Sequence, residues 1–365
     1  MNALVTGAGG FIGKNLICAL SECEKYNVME YHFNMEYAAL RKYCEKADIV
    51  FHLAGVNRPN NDDEFITGNV DFTQNLVNSL RSANNKCPII FSSSIQAELN
   101  NPYGNSKRAA ENILLEYAEN FGVKVAIYRL PNVFGKWSKP NYNSAVATFC
   151  YQAARSLPMQ INNPSHIIKL VYIDDVINEF LGLCKGSFKE GFNHIYKVYE
   201  ITVEELARTI AGFAKHKETP PDLTDEFTKK LYSAYISFLP KENLSYDLES
   251  HTDYRGSFTE FMRTNGQGQF SVNVSKPHII KGNHYHHTKH EKFLVVSGEG
   301  IIRLRRVDDN KVYAFNVSGE NLQVVEIPAG YTHNIENTGE TDMATLMWAN
   351  ENFDPQNPDT FYLEV

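Results

Sequence analysis

The chain opens on a strand that runs straight into a glycine turn and then a helix, and this junction limits the possible fold more than any other feature. Residues 2–6, Asn-Ala-Leu-Val-Thr, form a short apolar run. Gly7-Ala-Gly9-Gly10-Phe11-Ile12-Gly13 follows at once, and Lys14-Asn-Leu begins a helix. A strand, a tight turn and a helix in that order belong to an alternating α/β pattern. Glycines at such a turn let the backbone approach a pyrophosphate, which the free amides of the helix N-terminus can hold.

Later segments continue the alternation. Asp48-Ile-Val-Phe-His52-Leu53-Ala54-Gly55 reads as a buried parallel strand ending in small residues, and Ile89-Ile-Phe-Ser92-Ser93-Ser94 as a strand ending in hydroxyls. Helical stretches are expected over Lys107–Asn120, Val203–Ala214 and Glu226–Ser237, with a breaker at His216-Lys-Glu-Thr-Pro-Pro-Asp-Leu-Thr. Tyr103 and Lys107 are four apart on a helix and so share a face. A lysine ammonium beside a phenol stabilises the phenolate, and the phenol can then give its proton to a developing alkoxide near neutral pH. Ser94 can hydrogen-bond the same carbonyl oxygen.

Taken in order, these segments resemble the extended short-chain dehydrogenase/reductases that act on nucleotide sugars. Asn69-Val70, Arg129-Leu-Pro-Asn132-Val-Phe-Gly135 and Tyr172-Ile-Asp174-Asp175-Val176 resemble further segments of that family. The resemblance implies a Rossmann-type doubly wound domain over residues 1–242, with Ser94, Tyr103 and Lys107 as the catalytic set. It implies a coenzyme held by Gly7, Gly10, Phe11, Ile12, Gly13, His32, Leu53, Ala54, Gly55, Asn69, Tyr103 and Lys107, and a UDP-sugar met by Arg58, Ser94 and Asn132. Related sugar dehydratases carry an acidic pair just after the serine strand. Ile95-Gln96 stands there, so reduction without dehydration is expected, while a 4-epimerase would use the same Ser, Tyr and Lys. The resemblance favours NADPH over NADH, although Phe33 replaces the arginine expected at the end of the second strand, Tyr26–Asn34, and leaves only His32 nearby.

The pattern changes after residue 242. Short β-runs punctuated by Gly, Asn and Asp follow one another: Phe270–Val274, Phe293–Val296, Gly300–Arg305, Val312–Val317, Leu322–Ile327 and Ala344–Trp348. Such runs suggest an all-β sandwich or barrel over 243–365. Within it, His284-Tyr-His286 precedes Glu291 and Gly298, and Pro328-Ala-Gly330 leads to His333 and Asn337. Histidines two apart on a strand face one way, and three imidazoles with a carboxylate suit a borderline divalent metal. The spacing resembles the two cupin motifs, G-x5-H-x-H-x4-E-x6-G and P-x-G-x2-H-x3-N, except that Gly282 stands too close to His284 to be the opening glycine. A jelly-roll cupin is therefore expected, with one metal, most simply zinc, on His284, His286, Glu291 and His333. His290, Tyr331 and Lys292 are candidates for a general base.

A reductase followed by a cupin resembles the bifunctional capsule-synthesis family that makes UDP-2-acetamido-2,6-dideoxy-L-talose on the route to N-acetyl-L-fucosamine. His52–Pro59, Lys136–Ser144, Asp253–Phe261 and Trp348–Pro355 look like that family in particular. The resemblance implies epimerisation at C3 by the cupin, then reduction of the C4 ketone by the first domain. A cupin serving only as a structural module, and a cupin oxygenase beside an NAD-binding scaffold, are the competing readings. The net charge of −8 argues against non-specific nucleic-acid binding. No run approaches the ~20 apolar residues of a membrane span, and no targeting segment is apparent. Irregularly spaced Cys18, Cys23, Cys44, Cys87, Cys150 and Cys184 read as reduced thiols. A cytoplasmic homodimer is expected.

Overall fold

A computed structural model describes residues 1–186, 188–215 and 219–365. The first three residues of the expected breaker, 216–218, lie outside the described residues. The chain forms two compact units, Met1–Ala214 with Lys229–Pro240, and Lys215–Thr228 with Lys241–Val365. Residues 215–228, read from the sequence as part of the first domain, group with the second.

The first unit begins with β1 (Asn2–Thr6), α1 (Phe11–Ser21), β2 (Asn27–Tyr31), α2 (Tyr37–Lys46) and β3 (Ile49–His52). A short α3 (Asp63–Phe65) runs through a π-helical turn, Ile66–Asp71, into α4 (Phe72–Ser82), and β4 (Ile89–Ser94) follows. The next helix, α5 (Pro102–Phe121), has a full set of end signals. The Asn101 side chain accepts from the Gly104 amide, proline opens the first turn, and Gly122 closes the helix at φ 64°. Beyond it lie β5 (Val125–Leu130), β6 (Asn132–Phe134), α6 (Ala145–Ala153), β7 (Ile167–Tyr172), α7 (Ile173–Lys185), β8 (Gly191–Asn193), β9 (Tyr199–Thr202), α8 (Val203–Lys215) and α9 (Glu226–Ile236).

The main sheet is wholly parallel, in the order β2-β1-β3-β4-β5-β8, and β6-β7-β9 form a small separate sheet. Alternation along each strand feeds two cores. Leu4, Val50, Ile89 and Ile127 pack on one face with Leu40, Leu76 and Leu114. Ala3, Val5, Phe51, Ile90 and Tyr128 pack on the other with Leu16, Leu20 and Phe180. A sheet covered on both faces by helices is the Rossmann-type architecture expected from the sequence. Its strand order reverses between β1 and β3, where such sheets bind ligands.

The second unit contains β10 (Ser250–Asp253), β11 (Gly256–Arg263), β12 (Gln269–Ser275), β13 (Ile280–Tyr285), β14 (Glu291–Ser297), β15 (Glu299–Arg306), β16 (Val312–Ser318), β17 (Val324–Ile327), β18 (Tyr331–Asn337), β19 (Met343–Ala349) and β20 (Phe361–Tyr362). One antiparallel sheet runs β10-β11-β12-β19-β14-β17 and the other β16-β15-β18-β13-β20. Phe293, Val295, Ile302, Leu304, Val325, Ile335 and Met343 form the core of this cupin-type double sheet.

Candidate active site and metal centre

The first site lies at the carboxyl ends of β1, β3, β4 and β5. A cavity of about 710 Å³ is lined by Gly7, Gly9 and Gly10 through Lys14, by Leu53 and Gly55, by Ser92 through Gln96, and by Tyr103, Lys107 and Leu130 through Val133. Gly7 sits at φ 69°, and a Cβ there would lie 2.7 Å from the Ala54 nitrogen; a Cβ on Gly13 would lie 2.4 Å from the Gly7 carbonyl oxygen. The turn is thus fitted to β3 and to its own helix, and no side chain can be added at either position without moving backbone. Helix α1 starts at this turn without a side-chain cap, leaving its first amides to an outside acceptor.

The catalytic candidates meet here. Lys107 is 4% exposed; its Nζ donates to the Ser92 carbonyl at 2.8 Å and lies 4.4 Å from the Phe91 ring centroid. Burial pushes the Lys107 ammonium down to about 8, against the pull of Glu111. Burial also raises the Tyr103 phenol, opposed by a hydrogen bond with Ser94. Desolvation is the larger influence, and it keeps the phenol protonated as a donor.

Several expected contacts take other positions. Asn69 is 2% exposed and lies in the π-helical turn, where it accepts from the Val56 amide at 2.8 Å and donates to the Val56 carbonyl and Ser106 Oγ. It holds the loop after β3 and does not line the cavity. Ala54 backs the glycine turn, its amide donating to Thr6 Oγ1 at 3.3 Å. Arg58 donates to the backbone carbonyls of Asn141 and Tyr142, fastening the loop whose Trp137, Lys139 and Tyr142 line the cavity. His32 stands beside the glycine turn with Nε2 3.1 Å from Glu30 Oε2, and Phe33 is fully exposed. Asn132 lines the cavity as expected.

Sequence reading missed the group that braces this floor. Glu111, 1% exposed, accepts from Ser93 Oγ at 2.5 Å and from Arg129 Nε and Nη2 at 2.9 and 2.7 Å. It follows Lys107 by four residues on the same helix face, a spacing that could have flagged it. His52 is also buried, between Thr6 Oγ1 at 2.9 Å and Thr73 Oγ1 at 2.8 Å, and burial next to Lys107 pushes it down to about 3.

The second site is built by the double sheet. His284, His286, Glu291 and His333 bring one ligand atom each to within 4.8 Å of one another. His284 lies on β13 opposite His333 of β18, after a bulge between Gly282 and His284 that turns the strand. Glu291 opens β14 in the other sheet, and its Oε2 lies 3.3 Å from His286 Nε2 and 3.3 Å from His333 Nε2. These separations match the ligand-to-ligand edge of roughly 3.4 Å in a tetrahedron with bonds near 2.1 Å.

His333 is 1% exposed and neither ring nitrogen makes a hydrogen bond, Nε2 being close to Glu291 but off the direction that bond requires. An orphaned buried imidazole pointing into a cluster of ligands fits a cation. Burial, then His333, pushes His284 down to about 4, so it is a neutral donor near pH 7. Burial opposes the charge of Glu291, but His286 and His333 hold it well below the usual carboxylate range.

A cavity of about 880 Å³ opens over the cluster, lined also by His251, Asp253, Glu260, Lys281 and Lys289. None of the three sequence candidates for a base lines it. His290 is exposed with its ring 5.4 Å from that of Trp348, Lys292 pairs with Glu326, and Tyr331 packs against the core. The stretch Asp253–Phe261, singled out by resemblance, does line this cavity, through Asp253, Arg255, Ser257, Phe258 and Glu260.

Comparison with known proteins agrees with this division. Residues 3–197 match the NAD dependent epimerase/dehydratase family, and residues 251–361 match the polysaccharide biosynthesis C-terminal domain. The chain therefore belongs to the NAD dependent epimerase/dehydratase family, in a form that carries this second domain. It is 44% identical to the UDP-2-acetamido-2,6-beta-L-arabino-hexul-4-ose reductase of Pseudomonas aeruginosa, over 100% of this chain and 99% of that one. It superposes on the crystal structure of the capsular polysaccharide assembling protein CapF from Staphylococcus aureus with a TM-score of 0.94 at 48% identity, each chain covered in full. A Bacillus cereus UDP-glucuronic acid 4-epimerase in complex with NAD shares the fold over 65% of this chain and 98% of that one, with a TM-score of 0.57 at 19% identity. Among the described residues, no helix is long and apolar enough to cross a membrane.

Proposed function

We propose that this chain is a bifunctional nucleotide-sugar enzyme. Its cupin unit inverts C3 of UDP-2-acetamido-2,6-dideoxy-L-arabino-hex-4-ulose, and its Rossmann-type unit reduces the C4 ketone to UDP-2-acetamido-2,6-dideoxy-L-talose for capsular polysaccharide. The supporting observation is that Ser94, Tyr103 and Lys107 share one cavity with the glycine turn, while a separate cluster of three imidazoles and a carboxylate stands under a second cavity. The named activity of the full-length Pseudomonas aeruginosa relative supports the substrate class. A cytoplasmic homodimer belongs to the same reading.

In the first cavity, the residues present fit a nicotinamide coenzyme, which when bound supplies hydride to C4. Tyr103, kept protonated by burial, gives the proton to the ketone oxygen, and Ser94 hydrogen-bonds that oxygen beside it. Lys107 supplies positive charge at the cavity floor and is positioned by Ser92. Ile95 and Gln96 line the cavity where a dehydratase would need ionisable groups, which favours reduction alone. We take NADPH as the preferred coenzyme, with His32 beside the glycine turn.

In the second cavity, a divalent metal, zinc by preference, fits His284, His286, Glu291 and His333 and supplies Lewis-acid polarisation of the 4-keto oxygen. The chain itself presents a neutral His284, an ionised Glu291 and a cavity wall whose polar groups can take a proton from C3 and return it. Incubating the protein with the 4-keto sugar nucleotide and NADPH, then resolving the product by NMR, tests the proposal. The expected product carries an inverted C3 and a C4 hydroxyl; a product reduced at C4 with C3 retained would contradict the role given to the cupin.

A further inference from the structure

We infer that Asp359 is a positioning residue for the metal centre, and that the segment Pro358–Glu364 is a strap that sets His284, His286 and His333. This rests on the reading of the histidine cluster as a metal site, and extends it to a part of the chain outside the ligand motifs.

His286 lies just past the end of β13, so no strand ladder fixes it. Its Nδ1 is 2.6 Å from the backbone carbonyl oxygen of Asp359. A carbonyl only accepts, so Nδ1 carries a hydrogen, and Nε2 is the nitrogen turned to the ligand cluster, 3.3 Å from Glu291 Oε2. This is the outer contact that fixes the tautomer and ring plane of a metal-bound imidazole.

Asp359 is itself held in place. It sits at φ 41°, a region an L-residue adopts only when its surroundings require it. Its carboxylate accepts from the amides of His287, Thr288 and Lys289 at 3.0, 2.9 and 3.0 Å, and from Thr288 Oγ1 at 3.0 Å. The loop between His286 and Glu291 is thereby closed around one side chain. Lys289 adds a second tie, from its Nζ to the Pro358 carbonyl at 3.1 Å.

The same segment then reaches the other two imidazoles. Tyr362 of β20 pairs with His284, and the Leu363 amide donates to the Asn283 carbonyl at 3.0 Å. Thr332, the neighbour of His333, donates its hydroxyl to the Leu363 carbonyl, and Arg305 Nη2 donates to the Glu364 carbonyl at 2.6 Å. Among the described residues, no side chain beyond Ala349 belongs to the buried apolar core. The strap's apolar contact is Phe361, stacked on Tyr285 at 5.5 Å and edge-on to His287 at 4.8 Å, and its polar contacts run to the ligands and their neighbours.

The test uses the full chain and Zn²⁺. Asp359→Gly removes the carboxylate while suiting the positive φ; Asp359→Asn keeps one acceptor oxygen. Zn²⁺ affinity is measured by competition with a chromophoric chelator, the His286 tautomer by imidazole ¹⁵N NMR of the metal-free chain, and the fold by thermal unfolding. Asp359→Gly should weaken Zn²⁺ binding ~10- to 100-fold, the usual effect of losing an outer-shell partner, and should mix the His286 tautomers. Asp359→Asn should fall between it and wild type, and both should unfold cooperatively near the wild-type temperature. Wild-type affinity and a single tautomer in Asp359→Gly would overturn the inference, as would equal losses in both variants accompanied by unfolding. If the wild-type chain takes up no Zn²⁺, the metal reading itself fails.

Discussion

The two cavities differ in how their buried polar groups are satisfied. In the Rossmann-type unit, Lys107, Glu111 and His52 are all at least nine-tenths buried, and each has hydrogen-bond partners supplied by neighbouring strands and helices. In the cupin unit, His333 is as deeply buried and both its ring nitrogens lack hydrogen bonds. The first site is a finished surface over which a coenzyme and substrate can lie; the second is a set of donors that a cation would complete. Chemistry in the first should depend on a few atoms that touch the substrate, and in the second on the geometry of the whole ligand set.

The comparison breaks most readily at Tyr103. Tyr103→Phe keeps the ring and removes the proton donor, so the reduction rate should fall by about two to four orders of magnitude, with NADPH binding retained. Following NADPH absorbance under single turnover checks this. A loss of less than about tenfold would mean that another group protonates the ketone.

A smaller effect is expected at the ligands. His286→Ala or Glu291→Ala removes one donor of four and should weaken Zn²⁺ binding more than about 100-fold, while thermal unfolding of the Rossmann-type unit and its coenzyme affinity stay unchanged. Metal content after gel filtration and coenzyme titration on the same sample check both halves. A variant that keeps a full equivalent of zinc would show that the cluster is not the binding site.

His52 sharpens the contrast through pH. Its ordinary value of 6.5 is pushed to about 3 in the folded unit, so the unfolded chain takes up the proton first as pH falls. The stability it contributes is present above 6.5 and is lost between 6.5 and 3. From pH 7.5 to 5.5 this amounts to about 1.4 kcal/mol. Urea unfolding should show the wild type losing about that much more than His52→Gln over the same interval. Equal losses would mean that His52 is protonated in the fold.

The smallest effect concerns the coenzyme. NADPH should be preferred over NADH in kcat/KM by only about two- to fivefold, because a half-exposed histidine paired with Glu30 is a weak phosphate partner. A clear preference for NADH would point to Glu30 accepting from the ribose hydroxyls.

The first site was largely legible in the sequence because its parts follow one another in chain order. The glycine turn, His52–Gly55, the serine strand and Tyr103–Lys107 each sit at the end of a parallel strand or the start of a helix, so a linear reading reaches the cavity directly. Spacing does not show where Asn69 and Arg58 turn, Asn69 to the Val56 backbone and Ser106 Oγ and Arg58 to the Asn141 and Tyr142 carbonyls, because loop geometry decides it. The metal-ligand candidates were legible because His284, His286 and Glu291 follow one another closely in the chain and His333 follows the Pro328-Ala-Gly330 turn onto β18, which pairs with β13. The strap was not: Asp359 meets His286 across 73 residues, and nothing in its local sequence marks it as a partner. The general base was sought among a few sequence neighbours of the ligands, whereas the cavity wall also draws Lys281 from β13 and His251 and Asp253 from β10.

The central claim is that one chain carries two separable reactions. Tyr103→Phe, incubated with the 4-keto sugar nucleotide and NADPH in D₂O and followed by proton NMR, tests it most directly. The account predicts that the C3 proton signal disappears at the wild-type rate while the C4 ketone persists. Retention of the C3 proton in a folded, metal-loaded variant would contradict it, because exchange at C3 would then depend on the reductase residues.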